Sequence, residues 1–190
     1  MNNRYVLGIC GHAGAGKDMA ADYLVKELSF VRMALADPIK EMAHVYFHVP
    51  WDQLRRSDKP EKVRLLIQQL GTEVGRTYMP YIWIEDLCRR VEASTAQRII
   101  VTDVRFPNEA ETLVRRLHAD LIFVRRPGNP NIGARMMEHA SETSIEQIPF
   151  DLFRTAFVNP EGRQEEMLKE VLLNVKGWLA CHNNSQKTHE

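Results

Sequence analysis

The feature that most constrains this chain is an apolar run, Tyr5–Cys10, followed directly by the segment GHAGAGKD at 11–18. Its G-x-x-x-x-G-K spacing is that of a P-loop, in which glycines adopt positive φ and turn backbone N–H groups around phosphate oxygens. Lys17 would add a compact positive charge, and the helix that begins here its positive end. The predicted phosphate-binding residues are Gly11, His12, Ala13, Gly14, Ala15, Gly16, Lys17 and Asp18. The alternative is a glycine-rich turn with a surface lysine, but a strand before the motif and an amphipathic stretch after it favour phosphate binding.

Composition excludes several classes of function. The 190 residues carry 25 basic and 25 acidic side chains, which predicts neither a nucleic-acid-binding protein nor a membrane-surface binder. Cys10, Cys88 and Cys181 are scattered and form no disulfide framework, as in a reducing cytoplasm. No apolar run reaches the roughly 18 residues of a membrane span, and no signal peptide is recognised. We expect a cytoplasmic protein with small-molecule partners; its oligomeric state is left open, with a homodimer among the alternatives.

Strand and helix patterns alternate, which predicts an α/β fold with a parallel sheet and helices on both faces. The predicted strands are Tyr5–Cys10, Phe30–Ala34, Arg98–Thr102, Asp120–Val124 and Phe153–Val158. Two stretches interrupt the alternation. We predict a core of 1–39, 92–125 and 148–180, a helical insertion at 40–91, a mobile lid at 126–147 and a flexible tail at 181–190.

Two helix starts carry capping signals. Asp37 can cap a helix with Pro38 in its first turn, and Asn108 with Glu111 resembles a capping box after Pro107.

Acidic residues near the P-loop are candidates for magnesium binding. Asp103 ends the apolar strand at 98–102, the position from which an acid holds magnesium beside a P-loop. Asp18 stands where a P-loop usually has Ser or Thr, so it either faces the metal or is simply an acid favoured by the helix dipole. Arg105 could reach the same phosphates, or it could be a surface residue paired with Glu109 or Glu111.

Both insertions contain basic residues. Arg64 and Arg76 are twelve positions apart, a spacing that can return to a similar helix face and suit a second phosphate, although periodicity alone favours a solvated helix face. The second insertion could stabilise charge as a lid, or be a long polar loop. Its candidate residues are Arg125, Arg126, Arg135, His139, Ser141 and Glu142. At Asn159 a strand gives way to a helix start that could cradle an adenine or be only a capped helix.

Taken together, these segments resemble the bacteriophage-type deoxynucleoside monophosphate kinases within the nucleoside monophosphate kinase group. The matching segments are GHAGAGKD, LADPIK at 35–40, RLLIQQLGTEVGR at 64–76, VTDVRFPNEAE at 101–111 and HASE at 139–142. The family usually has threonine after the aspartate that follows the P-loop lysine, whereas this chain has Met19.

The resemblance implies a three-layer P-loop fold with a five-stranded parallel sheet, a helical monophosphate-binding insertion and a lid. It also implies roles: the P-loop would bind ATP, with Asp103 and Asp18 near Mg²⁺. Lys17, Arg105, Arg126 and Arg135 would act on the transferring phosphoryl group. Lys40, Arg64, Gln69 and Arg76 would face the monophosphate.

The expected reaction is transfer of the γ-phosphate of ATP to a deoxynucleoside monophosphate. The second pKa of a phosphate monoester lies near ~6, so the acceptor is already ionised and needs no general base. Tyr78, Tyr81 and Trp83 are candidates for a wall that excludes a 2′-hydroxyl, with core aromatics as the alternative. Competing interpretations are a P-loop kinase with another acceptor, such as dephospho-coenzyme A, and a non-catalytic ATP-binding regulatory module.

Overall fold

A five-stranded parallel sheet organises the computed structural model, which describes residues 4–56, 58–128 and 143–187. The strand order is β2-β3-β1-β4-β5. The strands are β1 Tyr5–Cys10, β2 Val31–Met33, β3 Arg98–Val104, β4 Asp120–Arg125 and β5 Phe153–Val158. This architecture confirms the predicted α/β fold class. The continuous apolar runs of β1 and β4 explain why they are central, since such strands are buried on both faces.

Helices connect the strands. They are α1 Lys17–Leu28, α2 Asp37–Phe47, α3 Trp51–Arg55, α4 Glu61–Gln68, a π-helix Gln69–Arg76, α5 Ile82–Ala93, α6 Pro107–Leu117 and α7 Gln164–Lys187. Short 3₁₀ helices span Ser144–Gln147 and Phe150–Leu152. Among the described residues, no helix has the length and apolar character that a membrane crossing needs.

The chain divides into two compact units. The first comprises Met1–Met33 and Ala93–Glu190 and contains the sheet. The second is Ala34–Glu92, which is helical. The helical insertion that the sequence predicts at 40–91 lies within the residue range of this second unit.

In the first unit the sheet is covered on both faces. Leu7 and Ile9 of β1 are completely buried in a cluster shared with apolar side chains of α1 and α7. On the other face, Gly8 lies so close to its neighbours that a Cβ there would be 2.3 Å from Leu121 Cδ2 and 3.4 Å from Leu113 Cδ1 of α6. The result is the predicted three-layer arrangement.

Both predicted helix caps are wrong in detail. Asp37 is the first residue of α2, and its carboxylate accepts a hydrogen bond from the backbone N–H of Ala34 at 2.7 Å, so the N-cap is Ala36. At α6 the reaching carboxylate belongs to Glu109, which accepts from the N–H of Phe106 at 3.0 Å. A phenylalanine at the cap position hides this capping-box pattern from the sequence.

The helix α7 continues to Lys187, so the segment at 181–190, predicted as a flexible tail, is helical over its described residues. The polar composition of this segment indicated fraying, but a helix already running from Gln164 needs no new nucleation to continue. His182 lies on its inner side, where its ring meets that of Tyr5 with centroids 5.4 Å apart.

In the second unit, the π-helix depends on two glycines. A Cβ on Gly75 would lie 2.3 Å from Trp83 Cζ2, and one on Gly71 would lie 2.9 Å from Ile39 Cδ1. Trp83 Nε1 donates a 2.7 Å hydrogen bond to the Gly71 carbonyl. The wider turn of a π-helix and the missing side chains let the indole pack directly on its backbone.

We expect Gly75→Ala to lower the free energy of unfolding by about 1–3 kcal/mol, because the added methyl group overlaps the Trp83 ring. Gly177→Ala in α7 is the matched control: nothing lies within 4 Å of its Cβ position, so alanine should stabilise the helix by up to ~1 kcal/mol. Urea unfolding of both variants tests this, and equal signs would contradict the packing argument.

Tyr5 should make the free energy of unfolding decrease at alkaline pH. Its hydroxyl donates to Asp120 Oδ2 at 2.6 Å, and burial followed by this carboxylate raises the pKa of the phenol above its usual value near 10. Folding therefore favours the neutral phenol, which contributes stability below pH 10 that is lost as pH rises further. Tyr5→Phe should be about 1 kcal/mol less stable at pH 7.

The unfolding free energies of the parent protein and Tyr5→Phe should converge above about pH 10. Tyr78→Phe, at a tyrosine that is 86% exposed, is the control and should follow the parent curve. Parallel curves for Tyr5→Phe and the parent would contradict this assignment.

Candidate phosphate-binding site

The loop between β1 and α1 has the backbone that its glycines predict. Gly11, Gly14 and Gly16 have φ values of 141°, 75° and 104°, in the region where only glycine is unstrained. A Cβ on Gly11 would lie 2.1 Å from the carbonyl oxygen of Val124, and one on Gly16 would lie 2.4 Å from Asn159 Nδ2. Left-handed residues followed by a helix start make an anion-binding concavity of backbone amides.

Lys17 lies within this loop. The residue is only 7% exposed, and its Nζ donates a 2.8 Å hydrogen bond to the carbonyl of His12. The N–H of Ala15 donates to the same carbonyl at 3.2 Å. The ammonium group is therefore held at the helix start, where its charge adds to the positive end of α1.

Asn159 fixes the loop from the far side. Its Nδ2 donates to the carbonyl of Ala15 at 2.9 Å, and its backbone N–H donates to the carbonyl of Arg125 at 2.8 Å. The residue is 3% exposed, and its Oδ1 has no hydrogen-bond partner among the described residues. The side chain predicted to help bind ATP thus contacts the P-loop itself and joins it to the ends of β4 and β5.

Asp103 lies at an irregularity of the sheet. Gly8 of β1 pairs with Val101, whereas Cys10 pairs with Val104, so β3 carries one extra residue across this interval. The bulge falls at Thr102 and Asp103, beside the strand that leads into the P-loop. β-Bulges re-aim side chains and occur often at functional sites. The bulge also explains why β3 extends to Val104 rather than ending at the predicted Thr102.

Glu109 is a site residue that the sequence reasoning missed as such. It is fully buried, and its Oε2 accepts hydrogen bonds from the N–H groups of Arg105 at 2.8 Å and Phe106 at 3.0 Å. It thereby sets the turn that follows Asp103 and carries Arg105, which is half-buried. The signal was the acid at the third position of α6, and the hydrogen bond to it from Arg105 is made by the backbone N–H.

Cys10 is buried beside this turn and is a structural thiol. Its Sγ donates to the carbonyl of Val104 at 3.1 Å. Burial raises the pKa of the Cys10 thiol well above its usual value, and the Glu109 carboxylate raises it further. A neutral thiol of this kind is a poor nucleophile.

Arg32 is a second residue that the sequence did not single out. It lies on the short strand β2 and forms an ion pair with Asp18. Its other nitrogens donate to Asp22 Oδ1 at 2.9 Å and to Thr102 Oγ1 at 3.2 Å. Asp18, for which a metal role and a helix-start role were both open, is therefore engaged by an arginine.

In the second unit, Lys40 belongs to a charged network at the start of α2. Its Nζ lies 3.7 Å from Asp37 Oδ1, and Arg90 Nη1 lies 3.5 Å from Asp37 Oδ2. Arg90 also donates to Asp86 at 2.7 Å and to the carbonyl of Ala34 at 2.8 Å. Asp37 of the LADPIK segment therefore lies between Lys40 of the same segment and Arg90 of α5.

The remaining candidates of the second unit lie on α4 and the π-helix. Arg64 forms a forked ion pair with Glu61, with N–O distances of 2.6 and 3.1 Å. Gln69 is the exposed first residue of the π-helix, and Arg76 is its half-buried last residue. The expectation that Arg64 and Arg76 share an α-helical face does not apply, because the π-helix changes the helical period between them.

The aromatic candidates separate into two groups. Trp83 is 5% exposed and belongs to the interior, as the alternative interpretation predicted. Tyr78 and Tyr81 are 86% and 50% exposed, so they are not core residues.

Part of the predicted lid can be placed. Arg125 is exposed, and Arg126 lies 3.9 Å from Glu161 with its side chain 24% exposed. His12 of the P-loop lies 3.9 Å from Glu146. Arg135, His139, Ser141 and Glu142 lie outside the described residues. Within the described ranges, no group of three or more His, Cys, Asp or Glu side chains is arranged to hold a metal ion.

Comparisons with known proteins agree with this fold. No protein-family model matches the chain. A protein of Acanthamoeba polyphaga mimivirus named "Putative deoxynucleotide monophosphate kinase" is 27% identical over 148 residues, covering 65% of this chain and 75% of that protein. Shikimate kinase from Acinetobacter baumannii, solved in complex with shikimate, has a TM-score of 0.54 at 12% identity, covering 93% of this chain and 95% of the other. A gluconokinase from Sinorhizobium meliloti 1021 has a TM-score of 0.52 at 14% identity, covering 100% and 99%.

The fold is that of the P-loop kinases. The five-stranded parallel sheet and its two helical layers fit this description, and the loop from β1 to α1 has the residue spacing of a P-loop. At 12% and 14% identity, the solved structures show a shared fold and nothing more.

If Asn159 braces the P-loop, Asn159→Ala should weaken ATP binding by about ten-fold, because the Ala15 carbonyl loses its donor and the loop its fixed shape. Asn174→Ala is the matched control, since the Asn174 amide donates to the carbonyl of Glu170 within α7 itself. Calorimetric titration with ATP measures both, and equal affinities for the two variants would contradict the bracing role.

Proposed function

We propose that this protein is an ATP-dependent deoxynucleoside monophosphate kinase. The observation that carries the proposal is the glycine loop with the buried Lys17 at its end, which is built to bind the phosphates of a nucleotide. The acceptor class is supported by the name of the mimivirus relative and by the segments that resemble the phage-type kinases.

The donor half of the reaction would use the first unit. The P-loop amides and Lys17 would bind the β- and γ-phosphates of ATP. Asp103, at the bulge of β3, offers a carboxylate oxygen of the kind that Mg²⁺ prefers, and magnesium often uses one or two carboxylates together with substrate phosphates. When bound, the ion would neutralise charge on the transferring group.

The acceptor half would use the second unit, with Lys40, Arg64, Gln69 and Arg76 as ligands of the monophosphate. The forked pair of Arg64 with Glu61 is relevant, because the geometry that fits a carboxylate also fits a phosphate. A phosphate dianion carries more charge than a carboxylate, so it can compete for Arg64 and for Lys40, which now lies beside Asp37.

The mechanism needs charge neutralisation rather than a proton-transfer residue. The acceptor oxygen is already ionised near neutral pH, so no group has to remove a proton. Lys17, Arg105, Arg126 and Arg135 would counter the repulsion between the two anions and stabilise the charge that moves in transfer. The neutral thiol of Cys10 takes no part.

The preference for a deoxyribose is part of the same proposal. Exclusion of a 2′-hydroxyl is achieved by an apolar or aromatic side chain that leaves this hydroxyl buried without a partner. Tyr78 and Tyr81 are available for such a wall because they are exposed, whereas Trp83 is committed to the interior of its unit.

The experiment is a coupled assay of ADP formation from ATP and Mg²⁺ with each ribo- and deoxyribonucleoside monophosphate. We expect acceptor-dependent ADP, with higher specificity constants for the deoxy form of at least one base. Lys17→Ala should lower turnover by about 10²–10³-fold, because it removes a charge that acts on the moving phosphoryl group. Lys26→Ala, at an exposed lysine in the last turn of the same helix, is the control and should retain activity.

Each failure has a distinct meaning. Near-normal turnover of Lys17→Ala would refute the P-loop assignment. Tight ATP binding without acceptor dependence would indicate a regulatory module. Activity on dephospho-coenzyme A alone would keep the kinase and change the acceptor, and equal constants for ribo and deoxy acceptors would remove only the sugar preference.

A further inference from the structure

We propose that Arg32 is a positioning residue that neutralises Asp18 and holds its carboxylate away from the bound triphosphate. The inference deepens the proposed function and rests on it, since it requires that the P-loop bind ATP. It replaces the metal role considered for Asp18 with a role in charge balance.

The contacts of Arg32 join three elements of the first unit. From β2, the guanidinium reaches Asp18 and Asp22 on α1 and Thr102 on β3. Asp18 and Asp22 are four positions apart, so they lie on one face of α1, one turn apart. The Arg32 side chain is 35% exposed, whereas those of the two aspartates are 72% and 70% exposed.

The position of Asp18 makes such neutralisation necessary. It directly follows Lys17, in the first turn of the helix whose amino end would face the phosphates. P-loops usually have a neutral hydroxyl here, so an unpaired carboxylate would add repulsion toward a triphosphate. A paired guanidinium cancels that charge at close range, and its fork keeps the carboxylate in one orientation.

The third contact connects this pair to the other candidate acid. Arg32 Nε donates to the hydroxyl of Thr102, which is 3% exposed and directly precedes Asp103 in the bulge of β3. One guanidinium therefore links the helix start beside Lys17 with the strand segment that presents Asp103. This placement distinguishes Arg32 from an ordinary surface ion pair, which contributes little.

The experiment compares the ATP dissociation constants of Arg32→Met, Asp18→Asn and two double variants, all measured with Mg²⁺. Arg32→Met should weaken ATP binding by about ten-fold, because the Asp18 charge is then uncompensated. Asp18→Asn in the Arg32→Met background should restore the affinity to within about two-fold of the parent, whereas Asp18→Asn alone should tighten binding.

Asp22→Asn in the Arg32→Met background is the matched control. Asp22 shares the same guanidinium but lies one turn farther from the loop, so its neutralisation should restore much less affinity. A merely structural role of Arg32 would move the melting temperature but would not let Asp18→Asn restore ATP binding. If Arg32→Met does not fold, Arg32→Lys serves in its place: it keeps the charge without the fork, and we expect ATP affinity between those of the parent and Arg32→Met.

Several results would overturn the inference. They are unchanged ATP affinity in Arg32→Met, equal rescue by Asp18→Asn and Asp22→Asn, or weaker ATP binding with a shifted magnesium midpoint in Asp18→Asn alone, which would make Asp18 a metal ligand. Absence of ATP binding by the parent would overturn this inference together with the P-loop assignment. ATP binding without transfer to any monophosphate would refute only the proposed acceptor and leave the comparison intact.

Discussion

The structure of the site depends on the fit of the glycine loop against its surroundings. Gly11 packs under the carbonyl of Val124, and Gly16 packs against the Asn159 amide, each at distances that leave no room for a side chain. The loop follows β1, the middle strand of the sheet. The carboxyl ends of β3, β4 and β5 lie around it. Tertiary contacts therefore set the shape of the loop, and a preorganised loop would lower the cost of binding the proposed phosphate ligand.

Charge around the loop is compensated group by group. Lys17 donates a hydrogen bond to the His12 carbonyl, and Asp18 forms an ion pair with Arg32. The buried Glu109 accepts hydrogen bonds from two backbone N–H groups. Glu109 has a structural task, because a buried carboxylate is tolerated when it is well hydrogen-bonded, and these bonds set the turn that carries Arg105. Of the three acids, Glu109 sets a turn, Asp18 is paired with Arg32, and Asp103 lies in the bulge of β3.

The sequence predicts the sheet well because β1, β3 and β4 contain continuous apolar runs, and β1 and β5 have the predicted bounds. The P-loop follows from glycine spacing, a local property. Arg32 and the bulge at Asp103 could not be predicted, since both depend on which strands are neighbours and in which register they pair. Glu109 was missed for a different reason: its partners are backbone groups, and a phenylalanine at the cap position hides the capping-box pattern.

The second unit shows that a segment can support a family resemblance through packing as well as chemistry. Within LGTEVGR, Gly71 and Gly75 are buried, and the Trp83 indole lies against both the backbone and the open side of the π-helix. A side chain at Gly75 would collide with the rigid Trp83 ring, and one at Gly71 would meet the end of the Ile39 side chain, so these glycines form the surface against which α2 and α5 pack. The charged and polar candidates Gln69 and Arg76 stand at the two ends of the π-helix, outside this packed centre. The motif therefore combines a packed interior of glycines with polar ends that the proposed function assigns to the acceptor phosphate, so a substitution at Gly75 should act first on stability.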